Sequence, residues 1–284
     1  MRIFVEEKFL LHSTSQKPII IWLLTGCVLI YIMVVIGGIT RLTHSGLSMV
    51  EWNMIVGSMP PISDADWQVP FEKYQQSPEY QQRNSHFTLE EFKSIYWWEY
   101  LHRFLGRFIG LVFIVPFLFF LWKKKLSPLM IRRGIILLLL GGFQGVLGWY
   151  MVKSGLSKNP YVSHYRLAAH LISAFIVFGF TLWYALDLIY PNQEIETDTS
   201  SLRKNGRVFF GFVIIQIIYG AFVAGLKPVV GLGYPTFPKM GDEWFPDTIT
   251  AFDPLWVNFL EKGAGVQFVH RYNAYICLLY TSPS

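Results

Sequence analysis

Residues 96–122 read YWWEYLHRFLGRFIGLVFIVPFLFFLW. No charge falls between Arg107 and Lys123, and a bilayer core about 30 Å thick takes roughly 20 apolar residues of helix. Tyr96, Trp97 and Trp98 at one end and Trp122 at the other form the aromatic belt expected where such a helix meets water. The stretch therefore predicts a membrane-spanning helix. Its first turns nevertheless hold Glu99, His102, Arg103 and Arg107. Ionisable groups are costly inside a membrane and usually mark function. Glu99 and His102, three residues apart, share one helix face.

Working outward, five further apolar runs have similar character, at about 18–39, 133–152, 165–190, 206–226 and 265–281. Across 284 residues the chain is 52% hydrophobic, 17% aromatic and only 15% charged. Soluble domains carry about 25% charged residues, so composition alone places the chain among all-α integral membrane proteins. The net charge of +5 does not point to nucleic acid, because the basic residues collect in short loops. Residues 123–133 carry five of them and no acid, and Arg203, Lys204 and Arg207 mark another loop. Arg2, Lys8 and Lys17 precede the first span. Lys/Arg-rich loops stay cytoplasmic, which puts the N-terminus inside and the long Pro- and Trp-bearing loops outside. The first run lacks a clear cleavage site and reads as a spanning helix rather than a leader. Cys27 and Cys277 lie within apolar runs and read as packing residues.

With that topology His102, His170 and His270 each lie about five or six residues into helices entered from the outer side. At 1.5 Å per residue they share one layer, roughly 8–10 Å below the helix ends. An internal repeat relates Glu99-Tyr-Leu-His102-Arg103 to Gln267-Phe-Val-His270-Arg271, 168 residues apart (102 to 270). The odd-numbered spans share a glycine-rich end closing on Gly-Leu, at Gly46-Leu47, Gly155-Leu156 and Gly225-Leu226. The same offset applied to His170 points to position 338, past residue 284. The expected architecture is thus a helical bundle of two pseudo-symmetric four-helix halves. Six helices fall within this chain, in an N-terminal half at 1–190 and the start of a second half at 191–284.

Neutral imidazole is a common axial ligand of haem iron, and facing helices of a bundle can each supply one. His102 and His170 form a candidate pair, and His270 is half of a second. Arg103, Arg107, Arg166 and Arg271 can meet haem propionates or extend to lipid headgroups. Glu99, partly desolvated, can move protons beside a bound substrate or face the interface. Glu-x-x-His also occurs at di-iron sites, but those need glutamates on further helices. His12, His44, His86 and His164 fall outside the spans and read as solvated loop residues. The outer segment of about 56 residues after the first span, rich in Trp, Phe and Tyr, reads as an ordered cap over the first histidine site, and the Pro- and Trp-bearing loop before the sixth span as its counterpart. An oxidative enzyme acting on haem, a di-haem electron carrier and a haem transporter or chaperone all use such histidines. Glu99 and the ordered outer segments favour the enzyme.

Several segments together, GGITRLTHSGLSMVEWN (37–53), Pro60-Pro61, SPEYQQRN (77–84), FTLEEFKSIYWWEYLHRFLGR (87–107), GGFQGVLGWYMVKSGL (141–156), YRLAAHL (165–171), FPKMGDEWFP (237–246) and VQFVHRYNAY (266–275), resemble the haem A synthase family. The type is the one shared by many Gram-negative bacteria and mitochondria, and the likeness covers about residues 20–277. It implies eight transmembrane helices in two halves, and oxidation of the C8 methyl of haem O to a formyl group. It also implies a substrate haem held by His102 and His170 beside an essential Glu99, and a haem B cofactor with His270 as one axial ligand. Implied partners are haem O, the haem O synthase supplying it, cytochrome oxidase assembly and the lipid bilayer. A homo-oligomer is compatible with the pattern. The implied location is the cell inner membrane, with the histidine layer toward the periplasm.

Overall fold

The computed structural model describes residues 2–51, 59–157, 160–191, 200–226 and 234–281, with side chains from residue 16 onward. Trp52, Asn53, Gly57, Lys158 and the last three residues lie outside them, as do the side chains of Arg2, Lys8 and His12. The described chain is helical, with one isolated antiparallel bridge between Met240 and Glu243. It forms two compact units, one of residues 1–160 and 173–194, the other of 161–172 and 195–284.

The first unit contains α1 (Arg2–Leu42), α2 (Asp64–Gln75), α3 (Leu89–Trp122), α4 (Pro128–Gly155) and the later turns of α5 (His164–Ile189). α3 begins at Leu89, a full two turns before the apolar run. Thr88 caps it: its hydroxyl accepts from Glu91 N, and the Glu91 carboxylate accepts from Thr88 N at 2.7 Å. This reciprocal box satisfies two helix-end donors. Ser63 and Asp66 build the same device at the start of α2. Ser127 caps α4 with Pro128 in the first turn, where a missing N–H costs nothing. Arg132 and Arg133 consequently lie on α4, not in a loop. Arg133 pairs with Asp187 at 2.5 Å and lies over the Tyr184 ring.

Two cores hold this unit. One joins Ile19, Trp22, Leu23, Phe117, Phe120, Met130, Leu137, Tyr184 and Ala185, and Trp22 Nε1 donates to Val112 O at 3.1 Å. The other lies in the outer segment, where Trp67, Phe71 and Tyr74 of α2 pack against Phe92, Ile95 and Tyr96 at the start of α3. Among the described residues of the segment after α1, α2 therefore forms a helical cap on α3, in keeping with the order its aromatic content predicts.

The second unit holds the first turns of α5 with α6 (Ser200–Leu226), α7 (Trp256–Leu260) and α8 (Gly263–Thr281). α6 and α8 are its main pair, with Ala168, Ala221, Phe222 and Val266 between its helices. The fully buried Asn258 ties α7 to the preceding turn, donating to Phe252 O and Leu255 O and accepting from Phe252 N.

Among the described residues five helices, not six, are long and apolar enough to cross a membrane: Gln16–Leu42 of α1, α3, α4, α5 and α6. The sixth predicted run is helical, as α8, but spans 19 residues and includes Gln267, His270, Arg271 and Asn273. Its polar content has a structural use, described next.

Candidate functional site

In the first unit the Glu99 side chain is almost fully buried and reaches across to the start of the outer segment. One carboxylate oxygen accepts from Ser48 Oγ at 2.7 Å and from Met49 N at 2.8 Å. The other accepts from Arg103 Nη2 at 2.6 Å. The Arg103 guanidinium also donates to Met49 O at 2.8 Å and Glu51 O at 2.9 Å. Two residues one turn apart on α3 thus grip residues 48–51 from both sides. Charge-assisted bonds of this kind are the stronger class. Arg103 also borders a cavity of about 270 Å³, lined by Val50, Trp149, Val152, Lys153 and Leu156 as well.

His102, between these two residues in sequence, lies against α1 at Gly37. A Cβ added there would sit 3.2 Å from His102 Nε2. Only glycine leaves the ring this room.

The second unit repeats the arrangement. Gln267 Oε1 accepts from Tyr234 N at 3.1 Å, and Gln267 Nε2 donates to Tyr234 O at 3.0 Å. Arg271 donates to Thr236 O at 2.6 Å, to Lys239 O at 3.0 Å and to Tyr234 O. His270 lies against α6 at Gly220, where a Cβ would meet the ring at 3.1 Å. In each unit, the residue three before the histidine and the one after it hold an outer segment by its backbone. In each, a glycine of the neighbouring helix makes room for the imidazole.

Of the residues singled out from sequence, Glu99, His102 and Arg103 converge in the first unit, and His270 and Arg271 in the second. His170 and Arg166 lie half-buried on the part of α5 that belongs to the second unit, and Arg107 lies half-buried in the first. Both arginines adjoining the histidines spend donors on loop carbonyls. His44 is exposed, as expected. His164 differs from expectation: it is buried at the first turn of α5, its Nε2 is 2.9 Å from Leu260 O, its ring packs on Phe222, and its Cα and Cβ lie close against Gly225. Ser48 and Gln267 escaped the sequence reading as site residues. The repeat carries the signal for Gln267, which occupies Glu99's place in it.

The residues fit a haem in two respects. Gly37 and Gly220 let the imidazoles lie close against the neighbouring helices, where a Cβ would crowd them, and His270 Nδ1 is buried with no hydrogen-bond partner among the described residues. Buried polar atoms are normally satisfied, so an orphaned ring nitrogen marks an imidazole whose partners are not all supplied by the described residues.

A profile of the COX15-CtaA family, described as cytochrome oxidase assembly protein, matches residues 20–283. The chain is 53% identical to a heme A synthase of Flavobacterium psychrophilum, over 92% of this chain and 77% of that protein. It is 48% identical to a heme A synthase of Nitrosospira multiformis, over 94% and 77%. With one from Rhodospirillum centenum it shares 43% identity, over 94% and 71%. No solved structure matches it. With the histidine clamps doubled as its repeat requires, the chain belongs to the COX15-CtaA family of cytochrome oxidase assembly proteins.

Proposed function

We infer that this chain is a haem A synthase, oxidising the C8 methyl of haem O to a formyl group and so supplying haem A for terminal oxidases. The observation that carries the reading is the doubled clamp, Glu99–His102–Arg103 and Gln267–His270–Arg271, each with a glycine opposite its histidine. It stands in a chain about half identical to a heme A synthase over nearly its whole length.

In this reading His102 and His170 hold the substrate haem, Glu99 is the carboxylate beside it, and His270 is one axial ligand of haem B. The chemistry haem B supplies when bound is one-electron transfer. The chain's residues do the positioning. Ser48, Met49 N and Arg103 set where the Glu99 carboxylate lies, so the carboxylate is placed only when the outer segment is seated. The aromatic packing of α2 on α3 seats it and shields that end of α3 from water. Arg103, with Lys153 across the cavity they share, suits a propionate, and Arg107, Arg166 and Arg271 are further candidates. The two repeat-related halves, 1–190 and from 191 onward, carry the substrate haem and haem B respectively. Haem O synthase is the natural donor of substrate. The protein resides in the inner membrane with its N-terminus cytoplasmic and its histidines near the periplasmic face.

The test is expression of the full reading frame encoding this chain in cells that make haem O but no haem A, followed by chromatography of extracted pigments. Haem A is the expected product. Haem bound to the purified protein with only haem B and haem O in the extract would overturn the enzyme reading in favour of a haem carrier.

A further inference from the structure

The two clamps share a backbone plan but diverge one turn deeper. Four residues before Gly37 stands Met33, and four before Gly220 stands Gln216. Three residues after His102 stands Leu105, and three after His270 stands Asn273. At these matched positions the first unit has a thioether and an alkyl group, and the second has two amides. Neither Met33 nor Leu105 can donate a hydrogen bond.

The amides are joined in a chain whose direction is fixed. Asn273, 6% exposed, donates from Nδ2 to Phe212 O at 2.9 Å. A backbone carbonyl only accepts, so this contact decides which end of the Asn273 amide faces α6. The same Nδ2 donates to Gln216 Oε1 at 2.7 Å. That fixes the Gln216 amide in turn, and turns its NH2 end to His270, 3.4 Å from Nε2. An amide NH2 donates only, so His270 Nε2 accepts through its lone pair and the ring proton sits on Nδ1, which has no partner among the described residues.

We propose that Gln216 and Asn273 are positioning residues for His270, selecting its Nδ1–H tautomer and holding the Nε2 lone pair in a hydrogen bond that a metal would have to displace. A lone pair held on one defined nitrogen is the form an axial ligand needs. The geometry stands on these side chains alone, while its purpose rests on reading His270 as a haem ligand. The first unit carries no amide at the two matched positions, Met33 and Leu105.

The test uses the chain labelled with 15N-histidine and reconstituted in lipid bilayers without added haem. The His270 imidazole signals are identified by their loss in His270→Ala. A single species with an unprotonated Nε2 and a protonated Nδ1 is expected. Gln216→Met, which copies the first unit, should turn that single species into a mixture. Gln216→Glu preserves shape but offers an acceptor to Nε2, and should reverse the preference to Nε2–H. Asn273→Leu, which frees the Gln216 amide to rotate, should again give a mixture. A parent with Nε2–H, or an unchanged Nδ1–H tautomer in both Gln216 variants, overturns the proposal. If Gln216→Met does not fold, the isosteric Gln216→Glu decides alone. Haem A formation measured in parallel separates the two readings. Tautomer control without haem A sinks the enzyme assignment and leaves this inference standing. Haem A formation with tautomers indifferent to Gln216 does the reverse.

Discussion

The Glu99 carboxylate accepts from a hydroxyl, a backbone N–H and a guanidinium, all within a buried site. Removing one member of a buried ion pair strands the other and costs about 3–5 kcal/mol. Glu99→Ala strands Arg103 and also leaves Ser48 and Met49 N without their acceptor. Its counterpart Gln267→Ala breaks two neutral hydrogen bonds, worth about 1–3 kcal/mol together. Thermal unfolding in detergent should therefore show Glu99→Ala as the more damaging variant, and pigment analysis should show loss of haem A. Equal destabilisation by the two would mean that charge adds nothing to the first clamp. Glu99→Gln keeps the shape and should recover most of the stability but little haem A. The glycines opposite the histidines make a second residue-scale case. In Gly37→Ala or Gly220→Ala the imidazole must yield by a few tenths of an ångström, since the new methyl would lie 3.2 or 3.1 Å from it. Each variant is expected to keep the fold and to change the optical spectrum of bound haem. Spectra identical to the parent in both would show that neither histidine touches iron.

At the scale of elements, the cap formed by α2 has its own pH limit. Tyr74 is fully buried, and its hydroxyl accepts from Asn84 Nδ2 at 2.7 Å and lies 3.4 Å from a Glu79 oxygen. Burial first, and the Glu79 carboxylate second, push the phenol well above its ordinary value, against a smaller opposing effect from Asn84. A phenol whose folded pKa is raised loses its proton more readily in the unfolded segment. Its contribution to stability is complete below pH of about 10 and is lost as pH rises beyond that. Protease cleavage between residues 63 and 88 should accordingly climb above pH of about 10, and Tyr74→Phe should flatten the climb while weakening the cap slightly at neutral pH. An equally steep climb in Tyr74→Phe would assign the opening to another group. Much of this element was legible. The Trp, Phe and Tyr content of the outer segment announces order, and Ser63-x-x-Asp66 and Thr88-x-x-Glu91 are capping patterns that read directly from sequence. Hydropathy alone hides them, because it starts α3 at the apolar run and not at its cap. The loop grip was less legible: Ser48 lies 51 residues from Glu99, and no local pattern reports a contact at that separation. Gln216 and Asn273 were hidden differently, since attention to ionisable groups passes over uncharged amides on an apolar helix.

For the whole molecule, the side chains that look misplaced settle the solvent. Leu111, Val115, Leu139 and Phe210 are 59%, 60%, 68% and 64% exposed on long helices, which water would penalise and lipid tails do not. The positions of the cations predict an orientation. Lys123, Lys124 and Lys125 fill the turn between α3 and α4, while α2 carries Asp64 and Asp66 and the first turn of α3 carries Glu90 and Glu91. Positive loops remain on the cytoplasmic side, which predicts an α3–α4 turn facing inward and an α2 cap facing outward. Single cysteines report this directly. Asp64 is 97% exposed in its side chain and Lys124 is exposed with a left-handed backbone, so both sites are open to reagent. Cys27 is buried and Cys277 half-buried on apolar helices, which keeps the background low. An impermeant maleimide should label Asp64→Cys in spheroplasts and Lys124→Cys only after the membrane is opened. The reverse pattern would place the histidine layer on the cytoplasmic face and remove the basis for a periplasmic haem site. Labelling of both in closed cells would show that the α3 segment does not cross the membrane.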